Sequence, residues 1–142
     1  MGVVRGIAGV LAGVVAAIAV AGPAWAGGPD GVVESDVVSR AVGSGLRDGA
    51  LVGFSASGPT NTAASAAVIE VCQNAGAEQC SSDEVTNDVF CVVSIGADDG
   101  SGIVAGGAGL TVDAARDDAI HNVGRADLVI APDARVLASS CP

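Results

Sequence analysis

The hydrophobic positions of this chain fall into three kinds of run. Ile7–Val20 is apolar throughout. Leu51–Ala56, Val89–Ile95, Ile103–Ala105, Leu128–Ile130 and Arg135–Ala138 are short runs bounded by turn-forming residues, which predicts strands. Two Ala-rich stretches place apolar residues one helical turn apart. Ala63, Ala64, Ala67, Val68 and Val71 follow a cap near Thr60 to Thr62 and stop at Gly76; Val112, Ala115, Ala119, Ile120 and Val123 follow Thr111 and stop at Gly124. Asp113 lies in the first turn of the second helix, where the helix dipole favours a negative charge. The stretches Thr62–Ile69 and Asp113–Ile120 align without a gap, each between strand-like segments, which suggests an internal repeat of strand, helix, strand.

Polar and glycine-rich segments punctuate these runs. Gly58-Pro59 and Ala131-Pro132-Asp133 read as turns, Ala97–Gly102 as a hairpin turn, and Gly106–Gly109 as a bend leading into the second helix. Ser81–Asp88 is polar enough to be a weak edge strand or a loop. Gly27–Gly49 reads as a flexible lead-in with a short helix around Ser35–Val42, because Val33, Val37 and Ala41 recur every four residues.

The apolar run at the N-terminus changes the picture. Arg5 precedes it, Pro23 breaks it, and Ala24-Trp25-Ala26 supplies a small-x-small site, the three parts of a signal peptide over residues 1–26. The rival reading is an uncleaved anchor, since the run is near the lower length limit for a bilayer span. Cleavage after Ala26 leaves a length suited to one domain, whose folded part is expected over residues 50–142. The chain is thus expected to act outside the cytoplasm, secreted or in the cell envelope.

Charge and side-chain types narrow the partners. Residues 27–142 carry sixteen Asp and Glu against five Arg, and no Lys. Such a surface repels phosphate backbones and anionic headgroups, so neither nucleic acid nor, after cleavage, a membrane is expected as a partner. Phe54 and Phe90 are the aromatics left once Trp25 is removed, too few for sugar or base platforms. No cofactor fingerprint is present. Cys72, Cys80, Cys91 and Cys141 all lie in the exported part and lack a Cys-x-x-Cys pair, so disulfides are expected rather than zinc. Three pairings are possible. The favoured one closes the turn after the first helix with Cys72–Cys80 and ties a central strand to the chain end with Cys91–Cys141.

The order Ala63–Cys72, Cys80, Cys91-Val-Val, Gly106–Ile120 and Arg135–Cys141 resembles a family of small exported bacterial proteins, domain of unknown function 4189, over about Ala50 to Cys141. The resemblance implies a secreted, cysteine-bridged α+β domain and carries no catalytic residue with it.

Candidate chemistry is sparse. His121 is the one group suited to acid and base work at neutral pH, and Asp117 stands one helical turn before it; together they are a possible binding or catalytic pair, and equally a solvated helix surface. Gly-x-Ser-x-Gly is absent. Asp98 and Asp99 in Asp98-Asp-Gly-Ser-Gly102 offer oxygens to a weakly held calcium ion, although Asp-Gly also marks a plain hairpin turn. The expected architecture is α+β: a small, mainly antiparallel sheet with two helices on one face, stapled by disulfides. The expected function is non-enzymatic binding of a protein partner. The alternatives are a small enzyme or cation-binding domain centred on His121 and Asp117, and a structural envelope component.

Overall fold

In a computed structural model, which describes residues 38–142, the first element is a strand where the sequence pattern suggested a lead-in. β1 (Ser39–Arg47) pairs antiparallel with β2 (Ala50–Gly58) in unbroken register. The joining turn is Asp48-Gly49, with φ of 54° and 80°, the positive pair that a two-residue hairpin turn needs. The expectation of a flexible segment to Gly49 with a helix to Val42 is therefore corrected within the described residues. Ala41, Gly43 and Gly45 on one face of β1 are too small to show a strand's alternation, yet small residues are what a helix packed on that face requires. The signal-peptide reading of residues 1–26 and the lead-in before Val38 lie outside the described residues.

The elements then follow as α1 (Asn61–Asn74), β3 (Glu78–Thr86), β4 (Cys91–Gly96), β5 (Val104–Gly109), α2 (Val112–Arg125) and β6 (Arg135–Ser140). Both helices begin on a threonine: the Thr60 hydroxyl accepts from Ala63 N and the Thr111 hydroxyl from Ala114 N, each at 3.0 Å. α1 ends before Gly76, at φ 83°.

The strands form two three-stranded antiparallel sheets, ordered β2-β1-β3 and β5-β4-β6. The α+β class and the antiparallel pairing are as expected; the strands divide between two sheets rather than one, and each sheet carries one helix. The chain order strand, strand, helix, strand occurs twice with the same sheet order, which gives the repeat suggested by the helices a structural form. α1 packs on Ala41, Phe54, Ala56 and Val85 through Ala64 and Val68. α2 packs on Val93 and Ile95 through Ala115, Ala119 and Val123. Alternation along each strand turns Val42 and Val92 to the opposite faces, where the two sheets meet, and both are fully buried.

The repeat extends to single residues. In β3, Val42 pairs with Glu84 and Gly43 with Ser82, leaving Asp83 as an extra, bulged residue. In β6, Ser94 pairs with Ala138 and Ile95 with Val136, leaving Leu137 bulged. Gly106 on β5 lies against the Asp83 backbone, and Gly53 on β2 lies against the Leu137 backbone, so closely that a Cβ on either glycine would overlap a carbonyl oxygen. Each sheet's edge glycine therefore touches the bulge of the other sheet.

Two further expectations are corrected. Gly106–Gly109 is part of β5, not a bend, because Gly107 and Gly109 lie directly on the α2 backbone, where a side chain would collide. Leu128–Ile130 is a loop, not a strand. Leu128 N closes on Val123 O at 3.1 Å to end α2, and Arg116 binds the carbonyls of Pro132 and Ala134 at 2.8 and 2.7 Å. Those bonds fold the segment back along the helix.

Both disulfides are closed, Cys72–Cys80 and Cys91–Cys141, in the favoured pairing, and among the described residues no cysteine is free. Such bridges point to an oxidising environment. Among the described residues no helix is long and apolar enough to cross a membrane.

Candidate functional site

The bulge at Asp83 builds a polar cluster between the sheets. The extra residue lets Asp83 and Glu84 both face the inter-sheet side. The Asp83 carboxylate accepts from Ser44 Oγ of β1 at 2.6 Å, Ser81 Oγ of its own strand at 2.7 Å and Ser94 Oγ of β4 at 2.6 Å. Ser44 and Ser94 lie on the two central strands opposite Gly53 and Gly106, are almost wholly buried, and both reach the same carboxylate oxygen. A carboxylate with three hydroxyl donors is a well-satisfied, partly buried acceptor and ties one sheet to the other. At the equivalent position of the second half stands Leu137, whose methyls approach Gly96. The two halves thus differ in polarity at their bulges.

This cluster adjoins a cleft at the end of the molecule where the β1–β2 and β4–β5 turns meet. The outer part has a volume of about 370 Å³ and is lined by Leu46, Leu51, Ala97, Asp98 and the turn glycines. A narrower recess of about 100 Å³ runs inward from it, lined by Ser44, Leu46, Leu51, Gln79, Ser81 and Val104. Gln79 and Cys80 together oppose Gly45 in a second bulge of β3. Gln79 has a φ of 53°, a conformation that non-glycine residues adopt at a cost, often beside binding sites.

The rim of the cleft is held by Arg135. Its guanidinium donates to both carboxylate oxygens of Asp98, at 2.6 and 3.2 Å, and to Leu51 O at 2.9 Å. The Asp98 partner raises the Arg135 pKa further above its ordinary value. Asp99 accepts from Ser101 N at 2.9 Å, and its hydrogen bonds with Ser101 hold its carboxyl below the ordinary range. The Asp98–Gly102 segment is thus a turn with both carboxylates engaged. Among the described residues there is no group of three or more side chains suited to holding a metal ion.

The structure does not bring the sequence-predicted pair into a site. Asp117 and His121 both lie on the exposed side of α2, and the ion pair among the described residues is Arg135 with Asp98. It is their neighbour Asp118 that turns inward: its carboxylate accepts from Ala108 N at 3.0 Å and from Asn122 Nδ2 at 3.3 Å, while Asn122 donates to Gly106 O at 2.9 Å. Burial first, and then the negative charge of Asp118, hold the Glu84 carboxyl above its ordinary value.

The four cysteines were found by sequence; the Ser44, Asp83, Ser81 and Ser94 cluster was not. The only signal for it was the odd richness in Ser and Asp of a segment bounded by strand-like residues, and an extra residue in a strand leaves no trace in periodicity. No family model matches the chain, and neither a curated protein nor a solved structure matches it.

Proposed function

We propose that this chain is an extracytoplasmic binding module, secreted or held in the cell envelope, that engages a protein partner at the cleft between the β1–β2 and β4–β5 turns. The observation that carries the reading is the cleft itself: a concave surface with apolar walls, Leu46 and Leu51, and a few convergent polar groups, the usual make-up of a binding site. Two closed disulfides support an oxidising location. Membership of the domain of unknown function 4189 family belongs to the same proposal and is supported by the order of its cysteines and helices along the chain.

A photo-crosslinking side chain placed at Ala50, which lines the cleft, tests the reading on oxidised protein in its own medium or envelope fraction. One discrete adduct is expected from Ala50 and none from the same group at Asp113, exposed on α2. Equal labelling from both positions, or turnover of a defined substrate that is lost in His121→Ala, would replace this reading with a structural or an enzymatic one.

A further inference from the structure

We infer that the inner recess of this cleft receives a primary alkylammonium group, which on the partner-binding reading above is the lysine side chain of the partner. A carboxylate only accepts hydrogen bonds, so the protons of Ser44 and Ser81 are both committed to Asp83. The same two serines line the recess. Their oxygens retain lone pairs and have no proton to offer, so the serine side of the recess can accept a hydrogen bond and cannot donate one, whereas the Gln79 amide on the same lining can do both. A ligand seated against the serines must donate.

The walls and rim select among donors. Leu46, Leu51 and Val104 flank the recess, which suits an aliphatic stem that shields apolar surface while its head is polar. Two serine oxygens 3.4 Å apart are point acceptors and fit a compact ammonium with three rotatable donors better than a planar guanidinium, which favours a bidentate carboxylate. Asp98 lines the outer cleft and is paired with Arg135, and Asp48, Glu78, Asp99 and Arg47 are chain neighbours of lining residues. With that pair cancelled, three negative groups stand against one positive and favour a cation. A lysine seated there must come from another molecule, because the chain's six basic residues, leaving His aside, are all arginine.

The test is an amide NMR titration of the oxidised full chain with n-butylammonium, with n-butanol, and with blocked Gly-Lys-Gly and Gly-norleucine-Gly peptides. Shifts centred on Ser44, Leu46, Leu51 and Ser81 are expected with n-butylammonium and the lysine peptide, and not with n-butanol or norleucine. Ser81→Ala should weaken n-butylammonium binding about tenfold, the loss of one hydrogen bond to a charged group. Asp98→Asn, on the exposed rim, should weaken it less and make it less sensitive to salt. Equal binding of n-butanol, or no shift at these residues up to about 0.1 M amine, would overturn the inference. Binding of n-butylammonium but not of the lysine peptide would keep the ammonium chemistry and remove lysine as its source. A crosslinked partner at Ala50 together with a failed titration would leave the binding reading standing and this inference fallen.

Discussion

At the residue scale, Glu84 shows how the Asp83 bulge of β3 shapes the chemistry between the sheets. Because Asp83 is extra, Glu84 turns to the same side, half buried and near Asp118, and its folded pKa is raised from 4.5. The folded state then holds the proton more tightly than the unfolded state. Stability therefore falls as the pH rises from 4.5 through the raised value, and the whole penalty is present above it. Glu84→Gln removes the charge and keeps the shape. It should raise Tm at neutral pH and flatten the dependence of Tm on pH above pH 4.5; a variant no more stable than the parent at pH 7, with the same slope, would refute the assignment. Arg40, Arg116 and Arg135 each bind backbone carbonyls, of Phe90, Ala134 and Leu51 in turn. The chain's scarce cations are thus used to tie loops and strand ends, and most of the acidic surface is left unbalanced.

At the element scale, the seams between the sheets depend on glycine for contact rather than for backbone freedom. Gly106→Ala places a methyl against the Asp83 carbonyl, backbone against backbone with no flexible side chain to yield. It should cost about 3 kcal/mol or more in a urea unfolding curve. Gly124→Ala, near the end of α2 with open space around it, should instead stabilise by up to about 1 kcal/mol. If the two variants moved stability in the same direction, the seam would not be the constraint described. α2 also manages the free edge of β5. Asp118 and Asn122 are four residues apart on the helix, about 6 Å, and meet Ala108 N and Gly106 O, two residues apart on the strand, about 6.6 Å. These bonds satisfy outward-facing backbone groups that a bare edge would offer to another chain. The helix caps behind this arrangement were legible from Thr60 and Thr111 alone. The glycine strand was not, because a run such as Gly106-Gly-Ala-Gly109 has no alternation to read and becomes a strand only when the α2 backbone needs it to be thin.

At the scale of the whole molecule, the two halves repeat one arrangement and the disulfides reinforce it unequally. Cys72–Cys80 spans 8 residues inside the first half, whereas Cys91–Cys141 spans 50 and closes nearly the entire second half. On the chain-entropy account the short bridge contributes about 2.5 kcal/mol and the long one about 4 kcal/mol. The paired variant Cys91→Ser with Cys141→Ser should therefore lower the urea midpoint more than Cys72→Ser with Cys80→Ser, and the reverse order would show that native-state packing outweighs loop closure. A core of Val, Ala and Ile with two partly buried phenylalanines has little apolar area to offer. The bridges act where that core is thin.

What the sequence determined by itself was whatever is encoded by neighbours along the chain. Thr60 and Thr111 start the helices, Asp98–Gly102 is chemically suited to a turn, and four cysteines without zinc spacing pair with each other. The division of the strands into two sheets, the bulges that turn Asp83 and Leu137 inward, and the joining of Ser44, Ser81 and Ser94 at one carboxylate were decided by tertiary structure. Those features depend on residues far apart in the chain meeting across a sheet interface, as Ser44 and Ser94 do at Asp83. Periodicity records which face a residue takes within its own strand, and an inserted residue changes that face only once the neighbouring strand has fixed the register.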